Sequence, residues 1–466
     1  MSAPTDRPAA ARVGPAAPAS TTGLPATPLA RHRKLLVGLI VAVVVMAILP
    51  DLLQYLMAKH QAETVRHLPP RVPLARMATW AAAAALLLLC SVILCGREDA
   101  NRKISGLSVL LLTLLIPYAI SPSLPGSDSI IRIGLAVAVT LAVWSLAAPV
   151  DGLKWVPITG SMLGAYSITG ALIRPELMNF RTGSAKSLVL DWQLAGPFIH
   201  SNALGMYCVL SLALSPLIVS LRWRTLHGSI LCAAVVASAS RTALIAAAIL
   251  ALWWIFCWAR SAKSVRAAGT VLVGLCAACV LILPLLIWNS HAFNGRAQIW
   301  SASLNAWEES RLVGLGIDWY TTSATSAPFF AQWADLRSGL DVFIPSQGHN
   351  LVVDTLVRSG LVGGCLLVLI LLAATRSIRA LDFLGHQIAY FGYLIVFLVV
   401  SCTENIWILL PNMALFPVVG LVFAVLVVSR HDAPAGAVRQ SAATAGGVSY
   451  SAPRVSARRP MNPTHG

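Results

Sequence analysis

Apolar runs long enough to cross a membrane set the limits on how this chain can fold. About twelve follow one another, at 35–49, 77–95, 104–120, 130–148, 155–173, 203–221, 225–240, 241–258, 268–288, 351–375, 387–402 and 413–429. Many reach the roughly 17 to 25 residues that a helix needs to traverse about 30 Å of hydrocarbon. Hydrophobic residues make up 57% of the 466-residue chain and charged residues 11%, whereas a soluble domain carries about 25% charged residues. The expected fold class is all-α: a polytopic protein of the lipid bilayer with about 12 transmembrane helices.

The formal net charge of +16 raises nucleic acid as a partner, because strongly basic chains often bind it. The placement of the charges argues against that. Lys and Arg cluster in short loops beside the apolar runs and in the two tails, and no basic stripe interleaved with aromatics occurs in a polar segment. No nucleic acid is expected. The nine cysteines all fall in or at the ends of apolar runs. They read as small core residues rather than as a disulfide framework or a zinc site.

Residues 1–30 and 433–466 are rich in Ala, Pro, Ser and Thr or Arg, and read as disordered tails flanking a transmembrane domain at 31–432. The first apolar run follows Arg31-His32-Arg33-Lys34 and lacks a small-residue cleavage site, so it reads as a first membrane helix rather than a removable leader. Charge orients the chain. With both tails cytoplasmic, every inner loop is basic, from Arg97, Arg102 and Lys103 through Lys154, Arg222 and Arg224, Arg260, Lys263 and Arg266, to Arg376, Arg379 and Arg430. The outer loops 121–129 and 403–412 contain neither Lys nor Arg. Outer loop 50–76, with Lys59, Arg66, Arg71 and Arg76, departs from this rule; acidic glycan or lipid headgroups would suit it. The extracytoplasmic loop 289–350, between the ninth and tenth runs, is too long for a connector. Function concentrates in such loops.

Arg241 is the only charged side chain in the stretch 229–258. An arginine at the bilayer centre costs roughly 2.5 to 3.5 kcal/mol even on insertion scales. The stretch is therefore expected to break at Ser238-Ala239-Ser240-Arg241 into two helices with Arg241 at their outer turn. A snorkelling or capping arginine fits the same position. Arg296 lies in Asn294-Gly295-Arg296-Ala297-Gln298-Ile299-Trp300, with Trp300 one helical turn beyond it; an interfacial arginine beside an aromatic-belt residue is the alternative. His349 opens the tenth run, and imidazole is the side chain that exchanges a proton near neutral pH. Asn350 is placed to orient the ring or to bind a sugar hydroxyl. Gly360 and Gly363 are expected to permit close helix contact. An interfacial histidine with a packing glycine pair explains these residues equally.

Secondary candidates are Asn202, as a helix cap or sugar contact, and Glu404, with Asn405, at the outer end of the eleventh run. Asp318, Trp319 and Tyr320 either face carbohydrate or pack their loop, and Glu308-Glu309 reads as a solvated helix face. Charge-based topology places Arg241, Arg296 and His349 on one outer face. Two guanidiniums can grip a diphosphate through several charge-assisted bonds, and an imidazole beside them can deprotonate a hydroxyl. This is equipment for displacing a lipid diphosphate from a sugar carbon. The outer loops hold no carboxylate or histidine cluster at ligand spacing, so neither a metal nor another cofactor is expected.

Three elements carry a resemblance: Ser240-Arg241, Gly295 to Trp300, and His349-Asn350 followed after nine residues by Gly360-Leu361-Val362-Gly363. In this order they resemble the O-antigen ligase and polymerase family of membrane glycosyltransferases, over roughly residues 195–425. The resemblance implies a GT-C-like fold of about twelve helices. It implies metal-independent, inverting transfer of an undecaprenyl-diphosphate-linked glycan to a hydroxyl of a glycan or lipid-linked acceptor, at the outer face of the bacterial cytoplasmic membrane. Arg241 and Arg296 would bind the donor diphosphate and His349 would act as base. The chain departs from the family at Leu312 and Ser201, where proline is frequent. The favoured expectation is a surface polysaccharide polymerase. A ligase attaching polysaccharide to a lipid core is the alternative, and a polysaccharide or lipid transporter or flippase a second one. Transport requires binding groups near the bilayer midplane, whereas nearly all ionisable groups here lie outside the runs or at their ends.

Overall fold

The computed structural model describes residues 28–58, 73–95, 104–122, 125–146, 150–180, 192–198, 200–289, 292–322, 347–406 and 414–428. Expectations for most of the two tails, for the basic stretch 59–72 and for 323–346 of the large loop lie outside the described residues. A helix occupies each expected apolar run. These are α1 (Pro28–Ala58), α2 (Pro73–Cys95), α3 (Ile104–Ala119), α4 (Ser127–Ser145), α5 (Trp155–Ile173) and α6 (Ser201–Ala213). They continue with α7 (Leu221–Ser238), α8 (Arg241–Cys257) and α9 (Ala262–Ile282), then, beyond the large loop's own helix α10 (Arg296–Trp307), with α11 (Leu351–Arg379), α12 (Leu384–Ser401) and α13 (Gly420–Val428). Among the described residues, six helices are long and apolar enough to cross a membrane: α2, α4, α5, α9, α11 and α12. Shorter apolar helices lie in α1, α3, α6 and α8. The protein is an all-α membrane protein; among the described residues the strands form one small antiparallel ribbon, Asn179–Phe180 against Gln193–Leu194.

Three helices make up the interior. All nine residues of α13 are buried, and α6 and α12 are buried over most of their length. Helix α12 packs against α6, α8, α9 and α11, so whatever its carboxyl end carries is delivered to the middle of the bundle. The outer helices expose large apolar side chains, among them Met162, Leu172, Leu252, Ile255 and Leu372, as lipid requires. Trp80, Trp223 and Trp258 are exposed near helix ends, where amphipathic rings sit at the headgroup level.

Charge separates the two ends of the bundle. Arg222 and Arg224 open α7, Lys263 and Arg266 open α9, Arg260 follows α8, and Arg376 and Arg379 close α11. They share one end, where Arg266 Nη1 donates to the Arg379 carbonyl at 3.5 Å. The starts of α6, α8 and α11 and the carboxyl end of α12 lie at the other end.

Helix α11 contains the main surprise. Its 29 residues span roughly 43 Å at 1.5 Å per residue, more than the hydrocarbon is thick. The helix is interrupted at Gly360, whose φ is 59° and ψ −157°. The expected span 351–375 is thus two pieces, Leu351–Ser359 and a crossing that begins after the break. Interrupting the helix orphans backbone groups on both sides, and the segment 311–316 satisfies them. Leu361 and Val362 N–H donate to the Arg311 and Leu312 carbonyls at 2.9 and 3.2 Å. Leu315 and Gly316 N–H donate to the Val357 and Arg358 carbonyls at 2.6 and 3.2 Å. The expectation that Gly360 and Gly363 serve helix–helix contact is corrected accordingly. A Cβ on Gly360 would strike the Leu312 carbonyl of the inserted loop, and one on Gly363 would strike the Ser359 side chain of the same helix. Leu312 acts here through its carbonyl, which a proline would supply equally.

Candidate functional site

Just beyond α12, Glu404 N–H still donates to Val400 O at 3.0 Å, so the helix end fixes where the Glu404 carboxylate lies. That residue is 3% exposed. Its Oε1 accepts from Arg296 Nη2 and from Asn202 Nδ2, the latter at 2.9 Å. Its Oε2 lies 3.6 Å from His349 Nδ1, ion-pair range but longer than a hydrogen bond. The preceding residue, Thr403, shares a 2.9 Å hydroxyl–hydroxyl bond with Thr242, the neighbour of Arg241. One buried carboxylate therefore collects Asn202, Arg296 and His349, and the start of α8, where Arg241 precedes Thr242, is tied to the residue before it, Thr403. Burial pushes the Glu404 carboxyl up, but the His349 imidazole and the Arg296 guanidinium outweigh it and hold it below the ordinary value of 4.5. It is an anion at neutral pH.

Local sequence explains why these side chains meet. Each sits at or within two residues of a helix start. Asn202 is the second residue of α6, Arg241 opens α8, Arg296 opens α10, and His349 precedes the cap of α11. Four helix N-termini thus turn toward one region, and each carries partial positive charge suited to an anion. The 229–258 stretch is split as its lone charge requires: α7 ends at Ser238, Ala239 is left-handed, and Ser240 Oγ caps α8 by accepting from Ala243 N–H at 3.4 Å.

The turns are strained. Among the described residues, the non-glycine residues with positive φ are Ala239, Phe293 and His349, at 50°, 55° and 48°. They fall one at each of the three sequence elements. Such conformations cost about 1–3 kcal/mol each and persist where surrounding structure over-determines them, often at functional sites.

Two candidates have other duties. Asn350 is fully buried and its amide is committed to backbone. Oδ1 accepts from Val352 and Val353 N–H, and Nδ2 donates to the Val280 and Cys402 carbonyls at 3.1 Å each. It caps α11 and ties that helix to α9 and α12, leaving nothing for the imidazole or a sugar. Trp300 is fully buried, so it is not a belt residue; its Nε1 donates to the His349 carbonyl at 3.4 Å and its ring stacks obliquely on Phe293. Asp318 is structural as well, receiving Gly126 N–H and Ser129 Oγ at 2.7 Å each at the start of α4, while Trp319 and Tyr320 are buried in the loop core.

Arg241 is exposed and has no hydrogen-bonding or ionic partner among the described residues. Arg296 gives Glu404 one of its nitrogens and, among the described residues, keeps the rest of its planar fork, which suits phosphate oxygens. A carboxylate on the Nδ1 side of His349 favours the ring proton there and leaves the Nε2 lone pair as acceptor. The site thus offers two cations, a proton acceptor and an anion that orients them. Sequence reasoning missed a second group, the buried pair Asp354–Arg358 with 2.7 Å between Oδ2 and Nε. Two opposite charges four residues apart at the head of an apolar run were its visible signal.

No curated protein is similar enough to this chain to count as a match. The O-antigen ligase family matches residues 228–368. That stretch runs from α7 into α11 and contains Ser240-Arg241, Gly295 to Trp300 and His349 to Gly363, while Asn202 and Glu404 lie outside it. Residues 228–368, set among membrane-spanning helices, are thus similar to the O-antigen ligase family.

Proposed function

We propose that this protein polymerises a surface polysaccharide by moving an undecaprenyl-diphosphate-linked glycan onto an acceptor hydroxyl at the outer face of the bacterial cytoplasmic membrane. The observation that carries the reading is the Glu404 carboxylate, which gathers Arg296 and His349, with the exposed Arg241 next in the chain to Thr242, the partner of Thr403. The basic end of the bundle lies opposite this group, and positive charge marks the cytoplasmic side. The site then opens outward, in a domain at 31–432 of about twelve GT-C-like spans with both tails in the cytoplasm.

The chemistry is a single displacement. The acceptor oxygen attacks the anomeric carbon while its proton passes to His349 Nε2. The bond from that carbon to the diphosphate oxygen breaks, and the leaving diphosphate takes the electron pair. Arg241 and Arg296 bind its oxygens, aided by the helix N-termini. Glu404 faces the imidazolium that forms. One displacement inverts the anomeric centre, and the guanidiniums supply the positive charge, so the reaction proceeds with EDTA present. A ligase would use the same groups with a lipid-core acceptor, so the acceptor is what separates the two.

The test uses the purified protein in vesicles with a polyprenyl-diphosphate-linked oligosaccharide. A ladder of longer lipid-linked glycans, with free polyprenyl diphosphate released, supports polymerisation. Product formed only when a lipid-core acceptor is added makes the protein a ligase. His349→Ala abolishes transfer at unchanged abundance; retained activity removes His349 as the base.

A further inference from the structure

The first two turns of α11 hold an ionic group that the displacement does not use. The side chains of Asp354 and Arg358 are each 1% exposed, and Arg358 Nε donates to Asp354 Oδ2 at 2.7 Å. The other carboxylate oxygen, Oδ1, accepts from the N–H of Gly348 at 2.9 Å. Gly348 is the residue immediately before His349. Arg358 is pinned in turn: it donates to the Ile317 carbonyl and lies 5.0 Å over the Tyr320 ring. The Tyr320 hydroxyl donates to Ser303 on α10 at 2.9 Å, so the same chain of contacts reaches the helix that begins with Arg296.

A buried pair of this kind adds little net stability, because desolvation offsets the attraction. Its geometric consequence is specific. His349 occupies the left-handed region at φ 48°, which a side-chain-bearing residue rarely holds unaided. The Asn350 cap fixes the peptide after it. The bond from Gly348 N–H to Asp354 fixes the peptide between Gln347 and Gly348, one residue upstream, so the turn is held from both sides. Packing tightens the turn further, since a Cβ on Gly348 would lie 2.8 Å from the Tyr320 hydroxyl oxygen.

We propose that Asp354, held by Arg358, is a positioning residue for His349: through the Gly348 N–H it fixes the left-handed turn that aims the imidazole at Glu404. The inference rests on the reading of His349 as base. Arg358 holds the Asp354 carboxylate in place through Nε, so the two residues act as one unit.

Two double variants test it. Asp354→Leu/Arg358→Met removes the acceptor of Gly348 N–H while filling the volume with apolar atoms, an exchange that buried ion pairs tolerate. Asp354→Asn/Arg358→Gln keeps a neutral acceptor for Gly348 and a hydrogen bond between the two side chains. In the apolar pair, hydrogen exchange quickens in the peptide covering 347–350 while Leu361–Arg379 stays protected. Its kcat falls by about ten- to a hundredfold, the scale of misplacing a reacting group by about 1 Å, with the donor KM unchanged. The neutral polar pair recovers most of that loss. Wild-type kcat in the apolar pair, with His349→Ala inactive, overturns the assignment and leaves the catalytic reading standing. Equal loss in both double variants also overturns it, because the acceptor for Gly348 is then not what matters. Full activity of His349→Ala would instead remove the reading on which the inference depends.

Discussion

Replacing Glu404 by Gln tests the account where its energetics are most exposed. The substitution keeps the shape and one acceptor, so Asn202 Nδ2 retains a partner, but it removes the charge that faces both Arg296 and His349. The consequence follows from charge development. When the imidazole takes the acceptor proton it becomes a cation 3.6 Å from the carboxylate. Unit charges at that distance attract by about 5 kcal/mol at an effective dielectric near 20, and by about 1 kcal/mol in bulk water. The His349 side chain is 18% exposed and that of Glu404 5%, which places the pair between those limits. A loss of about 2–3 kcal/mol of transition-state stabilisation corresponds to roughly a 30- to 150-fold fall in kcat. Donor KM rises less, because Arg241 is untouched and Arg296 is released from its anion. Steady-state transfer by the purified variant reads both quantities. A kcat within threefold of wild type refutes the reasoning.

The same residue sets a pH dependence. The folded-state carboxyl titrates below its ordinary value of 4.5, so the unfolded chain binds that proton first as the pH drops. The stability that Glu404 contributes is complete above about pH 4.5 and is lost as the pH falls through the folded-state value. Thermal unfolding in detergent between pH 7 and 3.5 should show this decline in the wild type and a shallower one in Glu404→Gln.

Three further outcomes are expected. Gly360→Ala places a Cβ against the Leu312 carbonyl at a backbone conformation that side chains avoid; it lowers unfolding stability by about 2–4 kcal/mol, and an unchanged melting temperature would contradict the inserted-loop geometry. His349→Gly and His349→Ala are both inactive, but the glycine variant is the more stable by about 1 kcal/mol, measured by unfolding, because only the left-handed turn distinguishes them. Arg241→Lys leaves stability unchanged, since the guanidinium is exposed, yet raises the donor KM by about tenfold through loss of the planar fork; wild-type donor use would count against diphosphate binding there.

The membrane helices were legible because apolar run length and the charge of the loops are properties of contiguous sequence. The break at Arg241 was legible for the same reason: one arginine in a long apolar stretch has few places to go. Glu404 was legible only as a secondary candidate at a helix end, because its central place comes from Asn202, Arg296 and His349, which are distant in the chain and meet only when α12 delivers its end among four helix starts. Asn350 and Trp300 misled in the opposite sense. Their neighbours in sequence suggested chemistry, whereas their amide and indole groups are spent on the carbonyls that hold the His349 turn. Gly360 misled through its type. A glycine pair at helical spacing normally signals packing between helices, but the conformation here breaks the helix and admits a loop.

The most direct measurement is a structure of the protein in lipid with a polyprenyl-diphosphate-linked glycan bound. The account predicts the diphosphate between the guanidiniums of Arg241 and Arg296, with the anomeric carbon facing His349 at the end of the bundle away from Arg260, Arg266 and Arg379. A donor seated at that basic end, or with its diphosphate remote from Arg241, would contradict it.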